Sequence, residues 1–127
     1  MERKKVIIAE KAPKAIGSYS HANVINGMVY TAGQIALDPE TSLMVEGDIS
    51  EETIRVMENL KAILEAAGSS LEKVLKTTIY ITDMNDFTAI DNIYKSYITA
   101  DFPGRTCIQV SALPRAARVE IDMIASL

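Results

Sequence analysis

The chain has one cysteine, Cys107, one histidine, His21, and no tryptophan. A lone cysteine closes no disulfide within its own chain, so a disulfide framework is excluded and a reducing compartment, the cytoplasm, is the expectation. One cysteine and one histidine are also too few for a structural zinc site made of those ligands, and no metal is expected. A lone histidine excludes a two-histidine ribonuclease mechanism inside one subunit. The N-terminal apolar run, Val6 to Ala9, is far too short for a signal peptide or a membrane span, so no membrane role is expected. The phosphate-cradling GxxxxGK, the GxGxxG turn, HExxH and the serine elbow are all missing, and no organic cofactor is expected. Positive charge is in the minority: 13 Lys and Arg against 17 Asp and Glu give a net charge of −4. That balance disfavours nucleic-acid binding, which needs a cationic face.

What is present suits a compact fold. At 127 residues and 48% hydrophobic content, the chain is large enough to bury a core as one domain spanning 1–127. The segment "ANVINGMVYTAGQI" predicts two strands around an Asn26-Gly27 turn. "ISEETIRVMENLKAILEAAGSS" predicts a helix capped by Ser50, with Ile54, Met57, Leu60, Leu64 and Ala67 as its apolar stripe and Gly68 as its stop. "KVLKTTIYITD" alternates, with Leu75, Thr77, Ile79 and Ile81 on one face. "NDFTAIDNIYKSYITADFP" predicts a second amphipathic helix, with Phe87, Ile90, Tyr94 and Tyr97 on one side, and Pro103 beyond its reach. The strands "RTCIQVSA" and "ARVEIDMIA" close the chain. The order β-β-α-β-α-β-β, with Val6 to Ala9 as a possible edge strand, implies an α+β fold: one mixed sheet with both helices on the same face. The other face, part apolar and part charged, suits a wet subunit interface, so an oligomer is expected.

Arg105 is the strongest functional candidate. Alternation sends Arg105, Cys107 and Gln109 to one face of their strand. A guanidinium at a strand start suits bidentate binding of a small carboxylate or phosphate; the plainer reading is a solvated arginine or an ion pair. Cys107 is either a small inert residue or a thiol activated by Arg105. Glu120, mid-strand between Val119 and Ile121, either orients a water or pairs with an arginine, Arg118 or Arg105 of another subunit. Tyr19 offers a phenol to a ligand or simply packs at a strand start with a wet tip. His21 reads as a strand or interface histidine. Gly33 marks a bulge or a close approach.

Taken together, "AIGSYSHA", "VYTAGQIALDP", "NLKAILEAAGSSLEKVLKTTIYITDMNDF", "FPGRTCIQV" and "VEIDMIA" resemble the Rid family of reactive enamine/imine intermediate deaminases, in its RidA-type branch. The resemblance covers nearly the whole chain. It implies a chorismate-mutase-like α+β fold assembled as a homotrimer, with sites in clefts between subunits. It implies hydrolysis of 2-aminoacrylate and related 2-imino acids to 2-keto acids and ammonia, with no cofactor. Carried onto this sequence, Arg105 clamps the substrate carboxylate and Glu120 positions or activates the attacking water. Tyr19 contributes to the wall, the backbone at Gly33 and Cys107 touches the amino end, and Phe87 closes the cleft. Ser18 stands where the family often has proline, Ala32 where it often has serine, and Gly104 where alanine is frequent. Ala32 removes a hydroxyl that could touch the ligand, which bears on substrate preference. Two other readings use the same residues: a non-catalytic small-carboxylate-binding trimer, and the ribonuclease or translation-inhibitor activity attributed to some relatives.

Overall fold

The Asn-Gly pair makes the turn that its sequence predicts. In the computed structural model, which describes residues 2–127, β2 (Ala22–Ile25) and β3 (Met28–Thr31) pair antiparallel around Asn26 and Gly27. Both turn residues have positive φ, 50° and 74°, the backbone of a two-residue hairpin turn whose twist matches its strands. The apolar N-terminal run supplies β1 (Lys5–Ile7), which pairs with β2 as the edge of the sheet.

Helix α1 (Ile49–Ala66) follows, then β4 (Val74–Ile81), helix α2 (Phe87–Tyr97), β5 (Gly104–Gln109) and β6 (Val119–Ser126). All six strands join one sheet in the order β1-β2-β3-β6-β4-β5. Strand β6 runs antiparallel to both β3 and β4, so those two run parallel across it, and β4 and β5 pair parallel directly. Each helix is therefore a crossover between parallel strands, and both pack on one face. The core lies between that face and the helices. Val29, Ile79, Ile81, Val119, Ile121 and Met123 meet Val56, Leu60, Ile63 and Ile90 there.

Three local expectations are corrected. The cap of α1 is Asp48, two residues before Ser50; its Oδ1 accepts the backbone N–H of Glu51 at 2.9 Å. Ile54 is exposed, because the buried stripe runs through Thr53, Val56, Met57, Asn59, Leu60, Ile63 and Leu64. The two polar members fit because each is bonded: Thr53 Oγ1 donates to Ile49 O, and Asn59 Nδ2 donates to the carbonyls of Ile35 and Leu37. Leu75 is exposed as well. A register shift between Val74 and Lys76 turns it out of the face shared by Thr77, Ile79 and Ile81, and Val74 is buried in its place.

The ends of the helices have clear causes. Gly68, at φ 88°, stops α1: its N–H bonds Glu65 O and the Ser69 N–H bonds Leu64 O, so two terminal carbonyls are satisfied. Helix α2 is shorter than the sequence implies and ends at Tyr97, well before Pro103. His21 precedes β2 and is buried; Nδ1 accepts from Ala9 N at 2.8 Å while Nε2 bonds Pro13 O at 2.6 Å, which ties the N-terminal segment down. No helix is long and apolar enough to cross a membrane.

Candidate functional site

Strand register decides where the candidate side chains go. Arg105 is level with Thr77 and Cys107 with Ile79, and Ile79 in turn faces Ile121, so all of these lie on the helix-covered face. Glu120 is level with Tyr80 and points to the open face. Within one chain, the six expected residues therefore form two clusters on opposite faces of the sheet.

The first cluster is built on α2. Its residues Phe87, Asp91 and Tyr94 fall on one stripe at helical spacing, beside the exposed edge strand β5. The Arg105 guanidinium lies 5.4 Å from the Phe87 ring centroid and 5.0 Å from that of Tyr94. Its Nη1 donates to Asp91 Oδ1 at 2.6 Å. The Tyr94 phenol donates to Thr77 Oγ1 at 2.9 Å, which fixes the second ring against β4. Gln109 Oε1 accepts the Met84 N–H at 2.8 Å and holds the entry to α2. Arg105 is thus stacked and oriented, and it lines a surface hollow with Lys95, Phe102 and Pro103.

Cys107 is half-buried on the same face. Burial pushes its thiol above the usual thiol range; Arg105 pulls the other way and Asp91 opposes Arg105. A thiol raised in this way stays protonated at neutral pH, which favours the inert reading over the nucleophilic one.

The second cluster occupies a cleft of about 200 Å³ lined by Lys14, Tyr19, Gly33, Pro114 and Glu120. Tyr19 lies in the loop before β2 and not at a strand start; its backbone N–H bonds Gly17 O, and its Oη accepts the Ile16 N–H at 3.2 Å. Gly33 lies just beyond β3. A Cβ added there would collide with the Glu120 carboxylate, with Cδ at 3.0 Å. The close approach at Gly33 is therefore made by Glu120. Neither ion pair among the described residues uses Glu120, and Arg118 instead binds Glu52, Nε to Oε1 at 2.8 Å. Burial, and then the neighbouring charge of Asp122, hold the Glu120 carboxyl above the usual carboxylate range. Asp122 is itself raised by burial and accepts from the Tyr80 phenol at 3.3 Å.

Four members of these clusters were not signalled in the sequence: Asp91, Tyr94 as a ring against Arg105, Lys14 and Asp122. Their roles depend on register and on loop path, which composition does not carry. Among the described residues no group of three or more His, Cys, Asp and Glu comes together as a metal site.

A one-sided α+β sheet with a polar cluster on each face defines the class of molecule, and comparison with known proteins places it further. The chain belongs to the Rid family: the family model described as Endoribonuclease L-PSP matches residues 9–127, and the curated relatives cover nearly all of the chain. It is 48% identical to a RutC family protein of Pyrococcus abyssi, over 96% of each chain. It is 46% identical to the mouse 2-iminobutanoate/2-iminopropanoate deaminase, covering 96% of this chain and 90% of that one. Among solved structures, a Rid family protein of Yersinia pestis superposes with a TM-score of 0.96 at 44% identity, over 98% of this chain and 100% of that one. E. coli TdcF, solved with bound serine, gives 0.92 at 39% identity, over 97% and 98%. The α+β fold expected from the sequence is the fold of these proteins.

Proposed function

We propose that the chain is a hydrolytic deaminase of 2-imino acids and their enamine tautomers, such as 2-aminoacrylate, releasing 2-keto acids and ammonia. The observation that carries this reading is Glu120: a half-buried carboxylate outside both ion pairs of the described residues, in a small cleft that Gly33 keeps open for it. The names of the mammalian relatives, at 41–46% identity, support it.

In this mechanism Arg105 holds the substrate carboxylate, and its stacking on Phe87 and Tyr94 limits the freedom lost on binding. An enamine first takes a proton at its terminal carbon and becomes the imine. Water then adds to C2 of the protonated imine; the C=N electron pair moves to nitrogen, and Glu120 accepts the proton the water loses. Glu120 returns that proton to the amine nitrogen. The C–N bond breaks as the hydroxyl oxygen forms the ketone, ammonia departs, and the hydroxyl proton leaves through Glu120. A carboxyl with a raised pKa suits these three transfers better than an ordinary one. Tyr19, and the backbone at Gly33 and Cys107, would line the reacting end.

Arg105 and Glu120 lie on opposite faces of the sheet within one chain. The mechanism therefore requires a second copy, and the assembly we propose for it is a homotrimer whose clefts combine Arg105 of one subunit with Tyr19, Gly33 and Glu120 of the next. The open face supports that assembly, since it presents Val6, Tyr30 and Ile108 exposed beside the charged Glu120 and Asp122.

The test feeds the product of threonine dehydratase to the purified protein and follows keto acid and ammonia. Wild type accelerates their release, and Arg105→Ala and Glu120→Gln do not. No acceleration by pure wild type overturns the reading. Keto-acid binding without turnover would then support a non-catalytic carboxylate-binding trimer, and RNA cleavage surviving purification would support the activity in the family model's description.

A further inference from the structure

Asp91 is the residue of the Arg105 cluster that neither the mechanism nor the sequence pattern uses. It sits on α2 one turn after Phe87 and most of a turn before Tyr94, the two rings that bracket the guanidinium. Its Oδ1 accepts from Nη1 at 2.6 Å, a short charge-assisted bond. Neither side chain is deeply buried, Arg105 being 26% exposed and Asp91 33% exposed, so solvent and small ions reach the pair. The rings alone leave the guanidinium free to rotate in its stacking plane. A single bond from one Nη fixes that rotation and leaves its other N–H groups for a second partner.

The charge of Asp91 has a second consequence. A carboxylate bound to Arg105 lies close to the Asp91 carboxylate, and the two repel. Asp91 therefore lowers the anion affinity of the arginine while it aims it. The repulsion is greater for a dianion than for a monoanion. Cys107, two residues along β5, is subject to the same opposition: Arg105 lowers its thiol pKa and Asp91 raises it.

We propose that Asp91 is a positioning and specificity-setting residue: it orients the Arg105 guanidinium and offsets part of its charge, so that the clamp favours small monocarboxylates over dicarboxylates. This rests on the reading of Arg105 as a carboxylate clamp. Asp91→Asn keeps the acceptor atom and removes the charge; Asp91→Ala removes both. The Asp91 side chain is part-exposed at the rim of the α2–β5 contact and is no member of the buried core, so neither change opens a core cavity.

The experiment is calorimetric binding of pyruvate and 2-oxoglutarate to the wild-type protein, Asp91→Asn, Asp91→Ala and Arg105→Ala. Removing one charge some 5 Å from the ligand carboxylate tightens pyruvate binding by about three- to tenfold in Asp91→Asn, and tightens 2-oxoglutarate by more. Asp91→Ala gains the same charge and loses the aim, so it binds pyruvate several-fold more weakly than Asp91→Asn. The Cys107 thiol, read by its ultraviolet thiolate absorbance, titrates lower in Asp91→Asn than in wild type, a change that a purely structural role would not produce. Lys95, the other cation lining the hollow, is present in every variant. Wild-type affinity and selectivity in Asp91→Asn overturn the charge-setting role, and equal affinity in the Asn and Ala variants overturns the positioning role. In both cases loss of binding in Arg105→Ala leaves the clamp reading standing. Wild-type pyruvate binding by Arg105→Ala overturns the clamp and this inference with it.

Discussion

Gly33→Ala is the most informative single change, because it moves the carboxylate proposed to be catalytic without touching it chemically. Gly33 has no positive φ, so its backbone accepts alanine without strain. The added methyl would sit 3.0 Å from Glu120 Cδ and 3.2 Å from Cγ, inside the 3.4 Å at which ordinary contact begins, and it overlaps Oε2 outright. Either the carboxylate swings aside by about 1 Å or more, or the loop retreats by a similar distance; a displacement of that size in a reacting group lowers turnover by about a hundredfold. The stability loss is small, about 1 kcal/mol, because the obstructing group is the mobile end of a half-buried side chain and not backbone. The assay pairs the coupled deaminase measurement with a thermal melt, in wild-type and Glu120→Ala backgrounds. Gly33→Ala destabilises the wild type and leaves Glu120→Ala nearly unaffected, since the colliding atoms are gone. Turnover within about threefold of wild type would refute the link between Gly33, the Glu120 position and the chemistry.

Three further outcomes follow from the same geometry. The folded-state pKa of Glu120 is raised above its ordinary 4.5, so the folded protein holds this proton more tightly than the unfolded chain; the corresponding stability is fully present below that value and is lost as pH rises through the folded pKa. Glu120→Gln removes the penalty of the buried charge, so it is the more stable protein at neutral pH, and chemical denaturation shows the gap closing on acidification; a gap that widens toward low pH contradicts the assignment. His21→Ala deletes two buried hydrogen bonds and leaves a cavity, a loss of about 2–4 kcal/mol with faster hydrogen exchange around residues 9–13, and a loss under about 1 kcal/mol would show that the N-terminal segment is held by other contacts. Finally, inactive Arg105→Ala and Glu120→Gln proteins, unfolded together and reassembled in equal amounts, recover about a quarter of wild-type activity. In a ring of three, every mixed trimer contains one cleft with both residues intact. Recovery of none would place Arg105 and Glu120 in the same subunit's site.

The parts of this molecule legible in its sequence are those fixed by nearest neighbours along the chain. Asn26-Gly27 specifies a turn with positive φ at both positions, and Gly68 specifies a helix stop, whatever surrounds them. The alternation of β6 likewise separates Val119, Ile121 and Met123, which are buried, from Glu120. Failures began where a distant partner changed the meaning of a residue. Asn59 is buried although polar, because the carbonyls of Ile35 and Leu37 come to it from another part of the chain. Leu75 is exposed although apolar, because the pairing of β4 with β6 slips beside it. The candidate site follows the same division. Arg105 and Glu120 are each conspicuous in their own strands, but their placement on opposite faces follows only from chaining the registers of β5 to β4 and β4 to β6. Asp91 is hidden for the converse reason: on a helix bearing Phe87, Ile90 and Tyr94 it reads as a solvated carboxylate, and only the neighbouring edge strand gives it an arginine to hold. A mechanism that needs both faces of one sheet cannot be completed by one copy of that sheet, so the separation of Arg105 from Glu120 is itself a physical argument for assembly.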